Sequence, residues 1–174
     1  MSKVLVATLI AASLPLSWAA KNDKGSPDWI SREVRHELVT LPFYSVFDDL
    51  AYKVDGNTVT LYGYVTRPTL KTDAERSVRN IEGVQNVVNN IEVLPVSPND
   101  DRIRMALYRA IYSQPGLDMY SLRAVPTIHI IVKNGNVTLM GAVSNQGDKD
   151  RAGIAANGVP GVFHVTNDIQ VEKS

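Results

Sequence analysis

Residues Gly56 to Val65, GNTVTLYGYV, and residues Asn134 to Val143, NGNVTLMGAV, are one stretch written twice. Each opens with Gly/Asn turn chemistry (Asp55-Gly56-Asn57, Asn134-Gly135-Asn136) that tolerates positive φ. Each runs on as an alternating strand, with Val59, Leu61, Gly63 and Val65 on one face of the first copy and Val137, Leu139, Gly141 and Val143 on one face of the second. A strand that carries glycine at the same inward position in both copies is a specific pattern, because glycine there loses entropy and packs nothing.

The identity spreads outward from this stretch. At an offset of 78, Val59 to Val93 falls on Val137 to Val171 without a gap, and thirteen of 35 positions are identical. Self-similarity at a fixed period marks a repeated structural unit. Upstream the offset is 73: Ile30, Val34, Leu38 and Pro42 fall on Ile103, Leu107, Ile111 and Pro115. The second copy therefore holds five extra residues, in a loop around Gly116 to Pro126.

Ser26-Pro27-Asp28 and Ser97-Pro98-Asn99 read as helix starts. Ile30, Val34, Leu38 and Leu41 share a helical face, as do Ile103, Ala106, Leu107, Ala110 and Ile111. Leu50, Tyr52 and Val54 alternate before the first turn, and Ile128, Ile130 and Val132 before the second. Thr72-Asp73-Ala74-Glu75 resembles a capping box, opening or extending a helix that Gly83 stops. The counterpart, Asp148 to Val159, is weakened by Gly153 and Gly158 and stopped at Pro160-Gly161. A last strand runs Val87 to Val93 and Val165 to Val171. The expected fold is α+β: two tandem α-β-β-α-β units, each a small mixed sheet with two helices packed on one face. The units are expected at residues 28–95 and 96–174, after a flexible lead-in at 20–27.

The first nineteen residues read as an address. Lys3 is a short positive region, Val4 to Leu16 is almost wholly apolar, and Ser17-Trp18-Ala19 sets small residues around a cleavage site after Ala19 or Ala20. As a helix, that apolar run would span about 20 Å, short of the roughly 30 Å hydrocarbon core. The expectation is export by a cleaved signal peptide.

Composition mostly excludes. Lysine plus arginine equals aspartate plus glutamate, 18 against 18, and removing the leader leaves 17 against 18. No general phosphate-coating surface is available, so nucleic acid is not an expected partner. Cysteine is absent, which removes disulfides, thiolate metal sites and cysteine nucleophiles.

The repeated pattern resembles the BON domain, a family of osmotically induced periplasmic and nodulation proteins. The residues that carry the resemblance are the two hairpin stretches quoted above, followed by IEGVQNVVNNIEV (Ile81 to Val93) and VPGVFHVTNDIQV (Val159 to Val171). It covers about residues 28 to 173. It implies an envelope protein of the periplasm without enzymatic activity, associated with phospholipid or membrane-surface binding, with osmotic or envelope stress and, in some members, with help to client proteins. A chaperone-like or scaffolding protein that binds client segments through open sheet faces is the alternative expectation.

Catalytic chemistry is hard to place. His36, His129 and His164 have no metal-ligand spacing, and neither H-E-x-x-H nor G-x-S-x-G occurs. His36 reads as solvated, and His129 as outward on its strand. Asp148-Lys149-Asp150 reads as a helix start, and Asp48-Asp49 as a solvated pair. No catalytic residue, metal site or cofactor is expected. Gly63, Gly83, Gly141 and Gly161 read as structural, with a helix backbone pressed close to the sheet at Gly63 and Gly141, and helix stops of positive φ at Gly83 and Gly161.

Contact surfaces are the remaining candidates. The outward strand faces carry Tyr62, Tyr64 and Met140, suited to contact between the copies or with a partner. The first helix of the second copy carries Arg102, Arg104 and Arg109, interleaved with Met105, Tyr108 and Tyr112, and the longer loop adds Leu117, Met119 and Tyr120 as exposed-looking apolar groups. A basic helix with such side chains suits an anionic phospholipid surface or an envelope protein partner. The same arginines could instead pair with acids while the aromatics plug a joint between the units.

Overall fold

The structure, a computed structural model, describes residues 24–122 and 125–172. The signal-peptide reading of residues 1–19 falls outside them. The first unit opens with α1 (Pro27–Val39), where the Ser26 hydroxyl accepts from the Trp29 amide at 3.2 Å. Pro27 needs no donor in that first turn, and Ile30, Val34 and Leu38 are buried. Then come β1 (Asp49–Asp55), β2 (Thr58–Val65), α2 (Pro68–Arg79), β3 (Asn86–Asn89) and β4 (Glu92–Val93). β1 is antiparallel to β2, while β3 and β4 both run parallel to it. The single last strand expected from the sequence is thus two pieces, with buried Ile91 between them.

The second unit repeats this order. It comprises α3 (Pro98–Tyr112), a 3-10 turn (Asp118–Ser121), β5 (Ile128–Lys133), β6 (Asn136–Val143), α4 (Gln146–Asn157), β7 (His164–Asn167) and β8 (Gln170–Val171). β6 is central, with β5 antiparallel and β7 and β8 parallel to it. Each unit has its own core. Leu61, Leu70 and Ile91 belong to the first, and Leu107, Ile128, Leu139 and Ile169 to the second. Among the described residues, no helix is long and apolar enough to cross a membrane.

Four local readings change. α2 begins at Pro68, after Arg67, and Thr72 lies inside it with its hydroxyl donating to the Pro68 carbonyl at 3.4 Å; it is not a cap. α4 is capped by Asn145, whose side chain accepts from the Asp148 amide at 2.9 Å. Gly83 and Gly161 do have positive φ, +89° and +92°, but α2 and α4 end before them, at Arg79 and Asn157. Gly63 and Gly141 are required by the neighbouring strand, not by a helix. Their φ values are +112° and +100°, and a Cβ would lie 2.1 Å from the Asp49 carbonyl oxygen and 1.9 Å from that of Thr127.

The two edge strands β1 and β5 differ. Along β1, exposed and half-buried residues alternate, whereas β5 is buried from Ile128 to Val132 on both faces. Helices cover one face of β5. The segment between α1 and β1 covers the other face at His129, on which Tyr44 stacks, and also runs along the strand's edge. The Ile130 amide donates to the Val46 carbonyl at 2.8 Å, and Val46 joins the core of the second unit.

Candidate functional site

α3 begins at Ser97, whose hydroxyl accepts from the Asp100 amide at 3.2 Å. Asp100 itself is buried. Its two carboxylate oxygens accept from the amides of Asn134 and Gly135, each at 2.9 Å, which ties the helix start to the β5–β6 turn. Arg104, one turn on, is 4% exposed. Its Nη2 donates to the Val132 carbonyl at 2.7 Å and its Nη1 to Asp101, while Nε has no partner.

Burial corrects the expected contact surface. Tyr112 is buried with its hydroxyl on the Ile128 carbonyl at 2.7 Å. Leu117 is fully enclosed, and Tyr120 is 7% exposed with its hydroxyl donating to Asp148 at 2.6 Å. These three residues and Arg104 build the second unit and do not face solvent. Tyr108 is half-buried, between Tyr112 at 4.9 Å and Phe47 of the first unit at 6.4 Å, ring centroid to centroid. Arg102, Met105 and Arg109 remain exposed, spaced three and four residues apart on one face of α3. Arg102 donates to Asn99 at 2.8 Å. Met119 is exposed beyond the helix, and so is Leu122, at 83%.

Asp148 is not a solvated helix-start acid either. It accepts from Tyr120, from Asn145 at 2.9 Å and from Arg151, and the Tyr120 oxygen in turn accepts from the Ser144 amide at 2.9 Å. Burial opposes its charge, but the donors outweigh burial and hold its carboxyl below the usual range. A lowered folded pKa gives stability that is present above the unfolded value of about 3.9 and is lost as pH falls through the folded value. Asp148→Asn should therefore lower the denaturation midpoint at pH 7, and the difference from wild type should shrink below about pH 4. A difference that stays constant from pH 7 to pH 3 would show that the charge contributes nothing.

The second surface is the seam between the units. Tyr44 stacks on His129 at 5.7 Å. His129 lies on the outward face of β5 but is buried because the first unit covers it, and its Nδ1 donates to the Asp48 carbonyl at 2.5 Å. The Asp48 side chain is also fully buried, contrary to the expected solvated pair. It accepts from the amide and hydroxyl of Ser45, at 3.0 and 2.6 Å, and from those of Thr66, at 2.6 and 2.8 Å. Burial pushes the neighbouring Asp49 carboxyl up, against the charge of His129. Tyr62, Gly63, Tyr64 and Met140 line one open cavity of about 320 Å³ that both units wall. The expected sheet-face residues are thus brought together at the seam. Lys133 donates to Glu92 across it at 2.5 Å.

The histidines are dispersed: His36 is exposed on α1, His164 is exposed on β7, and His129 lies in the seam. Among the described residues, no group of three histidine, aspartate or glutamate side chains could hold a metal ion.

Sequence reasoning missed Tyr44, Val46 and Phe47, the residues that join the units. One signal was present. Tyr44-Ser45-Val46 matches Tyr120-Ser121-Leu122 at an offset of 76, between the 73 of the helices and the 78 of the strands.

A family model described as the BON domain matches residues 26–95 and again 99–173. Osmotically-inducible protein Y of Escherichia coli (strain K12) is 29% identical over 126 residues, 71% of this chain. The chain spans 62% of that relative's length. Two solved structures of CdsD, a structural protein of the type III secretion system of Chlamydia trachomatis, also align. One, of the C-terminal domain, covers 82% of this chain and 96% of its own, with 12% identity and a TM-score of 0.33. The other covers 82% and 92%, with 13% identity and a TM-score of 0.32.

Proposed function

Because the chain belongs to the BON domain family, with two domains in tandem, we propose that it is a non-enzymatic protein of the periplasm that touches the membrane surface through α3 during osmotic or envelope stress. The observation that carries this reading is the exposed stripe Arg102, Met105 and Arg109. Neither arginine forms an ion pair among the described residues. A cationic stripe around an apolar side chain matches an anionic phospholipid surface, where headgroup charge attracts arginine and the thioether enters the interface. The corresponding helix of the first unit carries Glu33 and Glu37 beside Arg32 and Arg35 and is balanced. The osmotically inducible relative points to the occasion, and the export signal read from residues 1–19 to the compartment.

Co-sedimentation with vesicles tests this. The wild-type chain should bind vesicles rich in phosphatidylglycerol and release them with salt, since exposed charges are screened beyond about 8 Å at physiological ionic strength. Each basic residue at such a surface contributes about 1 kcal/mol, and reversing two changes the local charge by four. Arg102→Glu with Arg109→Glu should therefore weaken binding more than tenfold. Reversing Arg76 and Arg79, which pair with Asp73 and Glu75 on α2, should do little. If the two reversals act alike, or the wild type ignores anionic vesicles at low salt, α3 is not the membrane face.

A further inference from the structure

Two copies of one unit give every site on one a counterpart on the other. In the second unit, the groove between α3 and β5 is filled by the first unit. Val46 accepts from the Ile130 amide at 2.8 Å and lies 7% exposed in a core shared with Ile111, Tyr112 and Ile128. Phe47 meets Tyr108 edge-on. The helix offset of 73 and the strand offset of 78 carry Tyr108, Ile111, Tyr112, Ile128 and Ile130 onto Arg35, Leu38, Val39, Leu50 and Tyr52. Those five residues line an open groove of about 270 Å³ between α1 and β1. Val39 there is 48% exposed, whereas its counterpart Tyr112 is 8% exposed. Among the described residues, no backbone–backbone hydrogen bond reaches the outer edge of β1, although the Tyr44 hydroxyl meets the backbone at Leu50. An unpaired strand edge beside an apolar groove is a template for an added segment.

The filling segment has a counterpart too. Tyr44-Ser45-Val46 corresponds to Tyr120-Ser121-Leu122, and where Val46 is buried Leu122 is 83% exposed, beside Met119 at 55%. This chain therefore carries one occupied joint, one open groove and, in Leu122, one exposed counterpart of the filling residue. We propose that a second copy of the chain completes the pattern: its Leu122, at the end of the 3-10 turn, meets the β1 edge and enters the groove lined by Leu38, Val39, Leu50 and Tyr52. The insert and the groove are different surfaces, so the contact is head to tail and can continue to a third copy, as an open row or a closed ring. Arg35 stands where the filled groove has Tyr108, so the aromatic contact of Phe47 is not reproduced. The joint between copies also lacks the tether that gives the joint within the chain its high effective concentration. It is the weaker of the two and forms at high protein concentration.

Sedimentation velocity of the mature full-length chain over a concentration series tests this, without lipid. The wild type should form dimers and larger species as concentration rises. Leu122→Asp spoils only the insert and Val39→Asp only the groove. Both positions are exposed, so both variants should keep the circular dichroism spectrum of the wild type, and each alone should associate at least tenfold more weakly. An equimolar mixture should recover dimers but nothing larger, because each variant retains one intact half. A wild type that stays monomeric at every concentration overturns the proposal. So does association that neither variant weakens, or a mixture that recovers no dimer. Binding of a synthetic peptide of residues 41–48 to a persistently monomeric wild type would also overturn it, and would make the groove a site for foreign extended segments.

Discussion

Gly141→Ala should leave the second unit unfolded or nearly so at room temperature. The new Cβ would lie 1.9 Å from the Thr127 carbonyl oxygen, which is backbone and cannot rotate away. The residue would also have to hold φ at +100°, a conformation that L side chains rarely adopt. Backbone strain of this kind costs about 1–3 kcal/mol, and forcing atoms into a packed site a further 1–3 kcal/mol. A unit this small holds only about 3–5 kcal/mol in its core. Gly63→Ala, with its Cβ 2.1 Å from the Asp49 carbonyl oxygen at φ +112°, should do the same to the first unit. Denaturant unfolding followed by circular dichroism measures both. A loss below about 1 kcal/mol in either variant would mean that the strand can shift to admit a methyl group, and that the close approach is not what selects glycine there.

Arg104→Glu should be the most damaging charge change on α3, and it should act on stability before it acts on any surface. The guanidinium is buried against the Val132 carbonyl and beside Asp101. A carboxylate in its place would face a carbonyl oxygen and a second carboxylate with no donor among the present partners. Uncompensated charge of this kind costs about 3–5 kcal/mol. Arg104→Met keeps much of the volume; it leaves the Val132 oxygen unpaired and returns the exposed Asp101 carboxylate to solvent, so it should cost about 1–3 kcal/mol. Thermal melts of the three proteins separate these cases. Equal melting temperatures for Arg104→Glu and wild type would place the side chain in solvent and restore it to the exposed stripe. Any vesicle assay on Arg104→Glu reads the folded fraction, which is why Arg102 and Arg109 are the residues to reverse.

Much of the frame was legible in the sequence. Ser-Pro at residues 26–27 and 97–98 placed two helix starts, since the serine hydroxyl and the missing proline donor act within a single turn. The alternation around Gly63 and Gly141 placed the hairpins, because period two needs only neighbours along the chain. What failed depended on atoms distant in sequence. Arg104 is next to Ile103 and reads as solvated, and only the arrival of the Val132 carbonyl makes it core. Tyr120 reads as an exposed loop aromatic until Asp148 receives its hydroxyl. That pairing also explains a discord in the repeat, since the first unit carries apolar, buried Leu70 at the position of Asp148. His129 alternates outward on β5, as the pattern says, and is buried all the same because the other copy covers that face.

The loan of Val46 and Phe47 to the second unit has a genetic corollary. Repeats that only stack like beads can be shuffled, deleted or multiplied, since each carries what it needs. Here the upstream copy manufactures part of its neighbour's interior, so the order of the two along the gene has a direction. Exchange the halves, and Leu122 is carried upstream while Val46 lands in the trailing position, where no downstream edge awaits it. A duplication that gave rise to this gene would have been held in one orientation from the moment β5 came to rely on a segment encoded before it.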